Sequence, residues 1–200
     1  MTPSRSIAAL ACLAALTPLT SACSKTPSEP EPSAAVSAAP ALAPLVWDAP
    51  GTWTVLTVPK NVPKKASYQI EKAGNDKEGG EAHVFFLGTG EKGNVEKGFK
   101  EWFDQFDGDA AKIAKRETFT TSHGMTVETV EVAGTYKVPL SPPVGPQKKA
   151  AMQMVKENYR LYGAVVKTPD RGNWFFKLTG PDETVQSAKS AFRTMLESAR

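Results

Sequence analysis

The chain has 200 residues, 40% apolar and 22% charged, with a formal net charge of +3. That composition suits one globular domain with additions. The near balance of charge argues against nucleic-acid binding, because the short basic groups (Lys60, Lys64, Lys65 and Lys148, Lys149) lack interleaved aromatic residues.

The additions lie at the front. "MTPSRSIAALACLAALTPLTSAC" combines Arg5, an apolar stretch from Ile7 to Leu19, and small residues ending at Cys23. A basic start, a short apolar middle and a small-residue exit describe a secretory signal over residues 1–22. The stretch is too short and too alanine-rich for a membrane span, which needs about 20 strongly apolar residues. Leu19-Thr20-Ser21-Ala22-Cys23 resembles the bacterial lipobox, with the Leu one position earlier than usual and Thr20 in its place. The resemblance implies acylation of Cys23, and Ser24 in place of Asp implies sorting to the outer membrane, facing the periplasm. Cysteine usage agrees. Cys12 leaves with the signal, so Cys23 is the last thiol and no intrachain disulfide is available to an exported chain. Each buried lipid CH₂ contributes about 0.8 kcal/mol and one chain anchors only marginally, so two or three acyl chains are needed to hold the protein to a membrane.

Residues 23–45 form the acylated cysteine and a Pro/Ala/Ser-rich tether without a strong apolar pattern, unable to offset its conformational entropy by burial. Trp47, Trp53, Trp102 and Trp174 and every Phe lie beyond it. Residues 46–200 therefore read as a single domain. Strands are predicted at 52–58, 66–72 and 81–87. A helix follows, capped by Asn94 and stopped at Asp107-Gly108, whose stripe is Val95, Phe99, Trp102, Phe103 and Phe106. Strands at 113–121 and 125–137 precede a proline-rich connection, Val138 to Met152, and a weaker helix from Gln147 to about Glu157. Strands at 159–167 and 173–179 come next; in the second, Trp174, Phe176 and Leu178 share one face, and Phe175, Lys177 and Thr179 the other. The last helix has Pro181 at its first position, Asp182 and Glu183 in its first turn, and Val185, Ala188, Phe192, Met195 and Leu196 inside. Strands in succession joined by turns predict an α+β fold, an antiparallel sheet packed with helices.

Gly88, Gly90 and Gly93 have the G-x-G-x-x-G spacing of a dinucleotide turn. That turn needs a parallel βαβ crossover and small helix residues beneath it, whereas this helix buries Phe99, Trp102 and Phe103. The glycines read as a turn ahead of Asn94, with no nucleotide implied. His83 sits in a strand as a structural histidine and His123 at a turn tip, neither with a metal-ligand partner at a recognisable spacing. Asp104, Asp107 and Asp109 read as a solvated acidic turn, and Glu128 and Glu131 should face opposite sides of their strand. No catalytic residue, cofactor or metal is assigned.

Four segments, "GNVEKGFKEWFDQF", "VETVEVAGTYK", "YRLYGAVVKTP" and "WFFKLTGPDETV", resemble in order a group of uncharacterised bacterial lipoproteins of myxobacterial and planctomycete type. The "KLTGP…TV" ending and the order of strands are similar to the PsbP-like fold. This resemblance implies an α/β sandwich and a non-catalytic role beside membrane complexes. The expectation is an exported lipoprotein, membrane-held through Cys23, binding a protein or envelope component and possessing no enzymatic activity. The alternative is a carrier of a lipid or other apolar ligand, with a cleft lined by some of Tyr162, Phe175 or Trp53. A hydrolase would require His83 or His123 within hydrogen-bond reach of a serine beside an open pocket.

Overall fold

A computed structural model describes residues 44–140, 143–144, 149–150 and 152–200, all within the unit Pro40–Arg200. The signal, Cys23 and nearly all of the tether lie outside the described residues. Strands β1 (Thr54–Val55), β2 (Lys64–Ile70) and β3 (Gly80–Phe86) precede α1 (Val95–Phe103) and α2 (Ala110–Ile113). Next come β4 (Lys115–Thr120), β5 (Thr126–Pro139), the short β6 (Pro143–Val144) and β7 (Lys149–Ala150), β8 (Gln153–Lys167), β9 (Asn173–Pro181) and α3 (Asp182–Glu197). A 7-stranded sheet has the order β1-β2-β3-β9-β8-β5-β4, and every pairing in it is antiparallel. Two meanders meet where β3 pairs with β9.

The sheet carries helices on both faces. Tyr68, Ile70, Val84, Tyr162, Trp174, Phe176 and Leu178 pack with α3 through Val185, Ala188, Phe192, Met195 and Leu196. The alternate residues, Val130, Val132, Leu161, Val165 and Phe175, pack with Phe99, Trp102 and Phe103 of α1. β9 is central and covered on both sides, which is why it reads as a nearly unbroken apolar run. Leu45, at the end of the segment read as tether, is buried in the α3-side core.

Glycines set the spacing of α1 on the sheet. A Cβ at Gly98 would overlap the Phe175 ring, and one at Gly163 of β8 would overlap the Trp102 ring. The Gly88–Gly93 segment makes a turn with positive φ at Gly88 (101°) and Gly90 (67°). The Asn94 side chain then accepts from the Lys97 N–H at 2.9 Å, capping α1 as expected. No parallel crossover follows, since β4 lies at the far edge of an antiparallel sheet.

Four expectations are corrected. The weaker helix over 147–157 is strand where described: β7 occupies Lys149–Ala150, and β8 begins at Gln153, paired with Pro139 of β5. Cross-strand pairing overrides the helix-forming composition there. The first helix ends at Phe103 rather than at Asp107-Gly108. The chain beyond it is captured by β5, with Asp107 N donating to Thr135 O at 2.9 Å and Lys137 N donating to Gln105 O at 2.7 Å. Pro181 ends β9 and caps α3 instead of opening it. Finally, the first part of the predicted strand 113–121 is the end of α2, and β4 starts at Lys115.

Candidate functional site

Register places Ser67, His83, Lys177 and Gly163 in one row across β2, β3, β9 and β8. All four lie on the α1 side of the sheet. Trp102 covers the Gly163 end. From Lys177 outward α1 has ended, and the sheet floors a basin of about 370 Å³ bordered by His83, Glu81, Tyr136, Tyr159, Lys156 and Thr179. A smaller groove of about 200 Å³ runs beside α1 between Phe85, Leu87, Trp102 and Phe175. Lys177 lines both.

Lys177 is 8% exposed. Its ammonium donates to Gln105 Oε1 at 2.5 Å and to Tyr136 Oη at 3.1 Å. It lies over the Tyr136 ring, 5.4 Å from the centroid. An ammonium has three N–H donors, and the third has no acceptor among the described residues. Burial pulls its pKa down to about 8; Glu81 pulls it back up in part, and Lys64 depresses it further. Tyr136 Oη donates to Gln105 Oε1 at 2.8 Å, and burial pushes the tyrosine's pKa up to about 12. Its ring stacks on Tyr159, with centroids 5.6 Å apart.

The other ionisable groups around the basin are hydrogen-bonded. Glu78 accepts from Lys156 at 2.6 Å and from Tyr159 Oη at 2.7 Å. These bonds hold its carboxyl below the ordinary range despite slight burial. Glu81 Oε2 lies 2.9 Å from His83 Nε2, and His83 Nδ1 lies 2.9 Å from Ser67 Oγ. Burial, then the Lys64 charge, hold His83 below its ordinary pKa against the pull of Glu81. The neutral ring therefore donates from Nε2 to Glu81 and accepts the Ser67 hydroxyl proton at Nδ1. Thr179 Oγ1 is buried with no hydrogen-bond partner among the described residues.

His83 is satisfied by hydrogen bonds, as a structural histidine should be, yet it also borders the basin. His123 is exposed at the turn between β4 and β5. Asp104, Asp107 and Asp109 each pair with a separate lysine: Lys100, Lys137 and Lys112. Glu128 and Glu131 do face opposite ways, the first toward Lys167 and the second toward Arg160 and Lys189. Tyr162, Phe175 and Trp53 are not brought to one face of the sheet: Phe175 packs on the α1 side, Tyr162 and Trp53 on the α3 side. Tyr162 and Trp53 pack around Phe192 in the α3-side core, and Phe175 borders the groove beside α1.

Sequence reasoning passed over Lys177 and Gln105. The signal for the lysine was present, a cation in the middle of a strand with apolar residues on both faces. Gln105 could not be found, because its position depends on where α1 breaks.

No family model matches the chain, and no curated protein matches it. Among solved structures, the chain is similar to the solution structure of cyanobacterial PsbP (CyanoP) from Synechocystis sp. PCC 6803. The TM-score is 0.41 with 13% identity, covering 82% of this chain and 95% of that one. This similarity to the PsbP-like fold is distant; the α+β class rests on the sheet and helices themselves.

Proposed function

We propose that this protein is an exported lipoprotein, held to the outer membrane through acyl chains on Cys23 and facing the periplasm. Its domain binds an envelope component, without catalysis, in the basin over Lys177. The kinship adopted in this reading, to the lipoprotein group and a PsbP-like sandwich, rests on the sequence segments that resemble them. One observation carries the binding site: a buried ammonium with a spare donor on the floor of a basin of about 370 Å³, which Thr179, whose Oγ1 has no partner among the described residues, also borders. Buried polar groups left without partners carry a free-energy cost, and a ligand accepting from them removes it. Two experiments test the reading. Labelled palmitate should enter the wild-type chain and not Cys23→Ala. A photo-crosslinking residue at Met154, on the basin's rim, should capture an envelope component in intact cells, while one at Thr118 on the far edge strand should not. Equal capture from both positions removes the basin from the proposal.

A second reading is favoured by one specific geometry. Ser67, His83 and Glu81 form a hydrogen-bonded chain at 2.9 Å and 2.9 Å beside the basin, the arrangement a serine hydrolase uses to activate its nucleophile. Ser67 is 5% exposed and does not border the basin, which ranks this reading second. A fluorophosphonate probe that labels the wild type but neither Ser67→Ala nor His83→Ala would put it first.

A further inference from the structure

The basin and the α1 groove meet at one side chain, and the two cavities differ in character. The groove's walls are the rings of Phe85, Trp102 and Phe175 and the side chain of Leu87. The basin's walls mix polar side chains (Glu78, Glu81, His83, Lys156) with the rings of Tyr136 and Tyr159 and the apolar Val138 and Met154. Between them stands Lys177, whose ammonium forms no ion pair among the described residues, while Glu78 is held by Lys156 and Tyr159 and Glu81 by His83. Glu101 borders the groove from α1, so an anion placed along the helix would meet a like charge.

We propose that the two cavities form one site for a monoanionic amphiphile, an acyl or aryl carboxylate. Its head accepts from Lys177 and its apolar body lies along Phe85, Leu87, Trp102 and Phe175. This proposal rests on the binding reading above and names the ligand class. The carboxylate supplies the acceptor that the third N–H of Lys177 lacks, and a charge-assisted hydrogen bond in a desolvated site is among the stronger ones. Thr179 borders the same basin. The body replaces water over apolar rings, where burial is favourable in proportion to the area covered. Gln105 and Tyr136 keep the ammonium turned toward the junction, since both accept from it.

Isothermal titration calorimetry on the mature chain, residues 23–200 produced without the signal and carrying Cys23→Ser so that no acyl group is attached, tests this. The probes are octanoate, octanol, acetate and octyltrimethylammonium, all monomeric in solution. Octanoate should bind saturably at one site. Octanol, lacking the charge, and acetate, lacking the body, should each bind at least about tenfold more weakly, and octyltrimethylammonium should not compete. Lys177→Met should weaken octanoate by roughly 10- to 100-fold and leave octanol unchanged. Leu87→Glu, a change in the partly exposed groove wall that spares the lysine, should weaken both. No saturable binding of octanoate, equal binding of the cationic probe, or unchanged octanoate affinity in either variant overturns the proposal. If octanoate fails while rim crosslinks at Met154 persist in cells, the basin still binds an envelope component and only the ligand class falls.

Discussion

Lys177→Met probes whether the floor of the basin holds a desolvated cation. Burial brings the lysine's pKa from its ordinary 10.5 down to about 8. Between those values the unfolded chain holds the proton and the folded chain does not. Stability rises with pH wherever the unfolded state binds more protons. The folded-state penalty is therefore present in full below about pH 8 and fades toward pH 10.5. With about 1.36 kcal/mol per unit of pKa difference, the group's contribution improves by about 2–3 kcal/mol from pH 7 to pH 10. Tyr136 has the opposite sign: its pKa is raised from 10.0 to about 12, so its contribution is complete below 10.0 and is lost as pH climbs toward 12. Urea unfolding of wild type and variant at matched pH, taken as a difference, cancels the titrations the two chains share. The wild type should gain about 2–3 kcal/mol on the variant across that window. A difference that stays flat would mean the ammonium is hydrated, and the account of the basin floor would be refuted.

Gly163→Ala should destabilise the fold by about 1–2 kcal/mol, because the added methyl overlaps the Trp102 ring and overpacking outweighs the entropy gained from losing a glycine; a chemical-denaturation midpoint equal to or above wild type would contradict this. Asn94→Ala should cost about 1 kcal/mol, read the same way, since it removes the side-chain acceptor for the Lys97 N–H at the start of α1. Glu131→Gln should cost on the order of 2 kcal/mol by leaving Arg160 and Lys189 without their shared carboxylate. Burial pushes the Glu131 carboxyl up, but Lys189 and Arg160 outweigh it and hold it below its ordinary 4.5. Its stabilisation is thus present above 4.5 and lost as pH falls through the lowered value. Acid unfolding should start at a lower pH for the wild type than for Glu131→Gln, and the gap in stability between the two chains should narrow as acid is added.

Much of the fold was legible because its patterns are local. The stripe of Phe99, Trp102 and Phe103 marked α1, and the alternation of Trp174, Phe176 and Leu178 marked β9 and its α3 face. Asn94 announced its helix by capping chemistry alone. Reading failed where a partner strand decides the outcome. Residues after Ala150 have helix-forming side chains, but β5 is long enough to pair with them from Gln153 onward. Phe106 sits on the helical stripe, yet it leaves the helix to form a bridge with Tyr136. The candidate site was hardly legible for the same reason. Lys177 and Thr179 were placed on the face of Phe175, but nothing local says that α1 stops short of them.

That stopping point connects fold to site. Had α1 run on to Asp107, its last turn would extend over the part of the sheet where Lys177 emerges. Capture of residues 105–107 by β5 ends the helix and leaves the basin open. The same capture delivers Gln105 to the ammonium and seats Phe106 against Tyr136, 5.1 Å between centroids. Tyr136 in turn hydrogen-bonds Gln105 and stacks on Tyr159. The charge at the cavity junction is therefore held by a β-bridge, and not by α1 itself. The bulge that puts Tyr136 out of step with its neighbours on β5 belongs to this arrangement, for it falls between Gly134 and Tyr136. Bulges redirect side chains where a regular ladder would point them elsewhere. The α3 face, with its closed core and peripheral ion pairs, supplies cohesion; the α1 face, interrupted at one strand, supplies the recess.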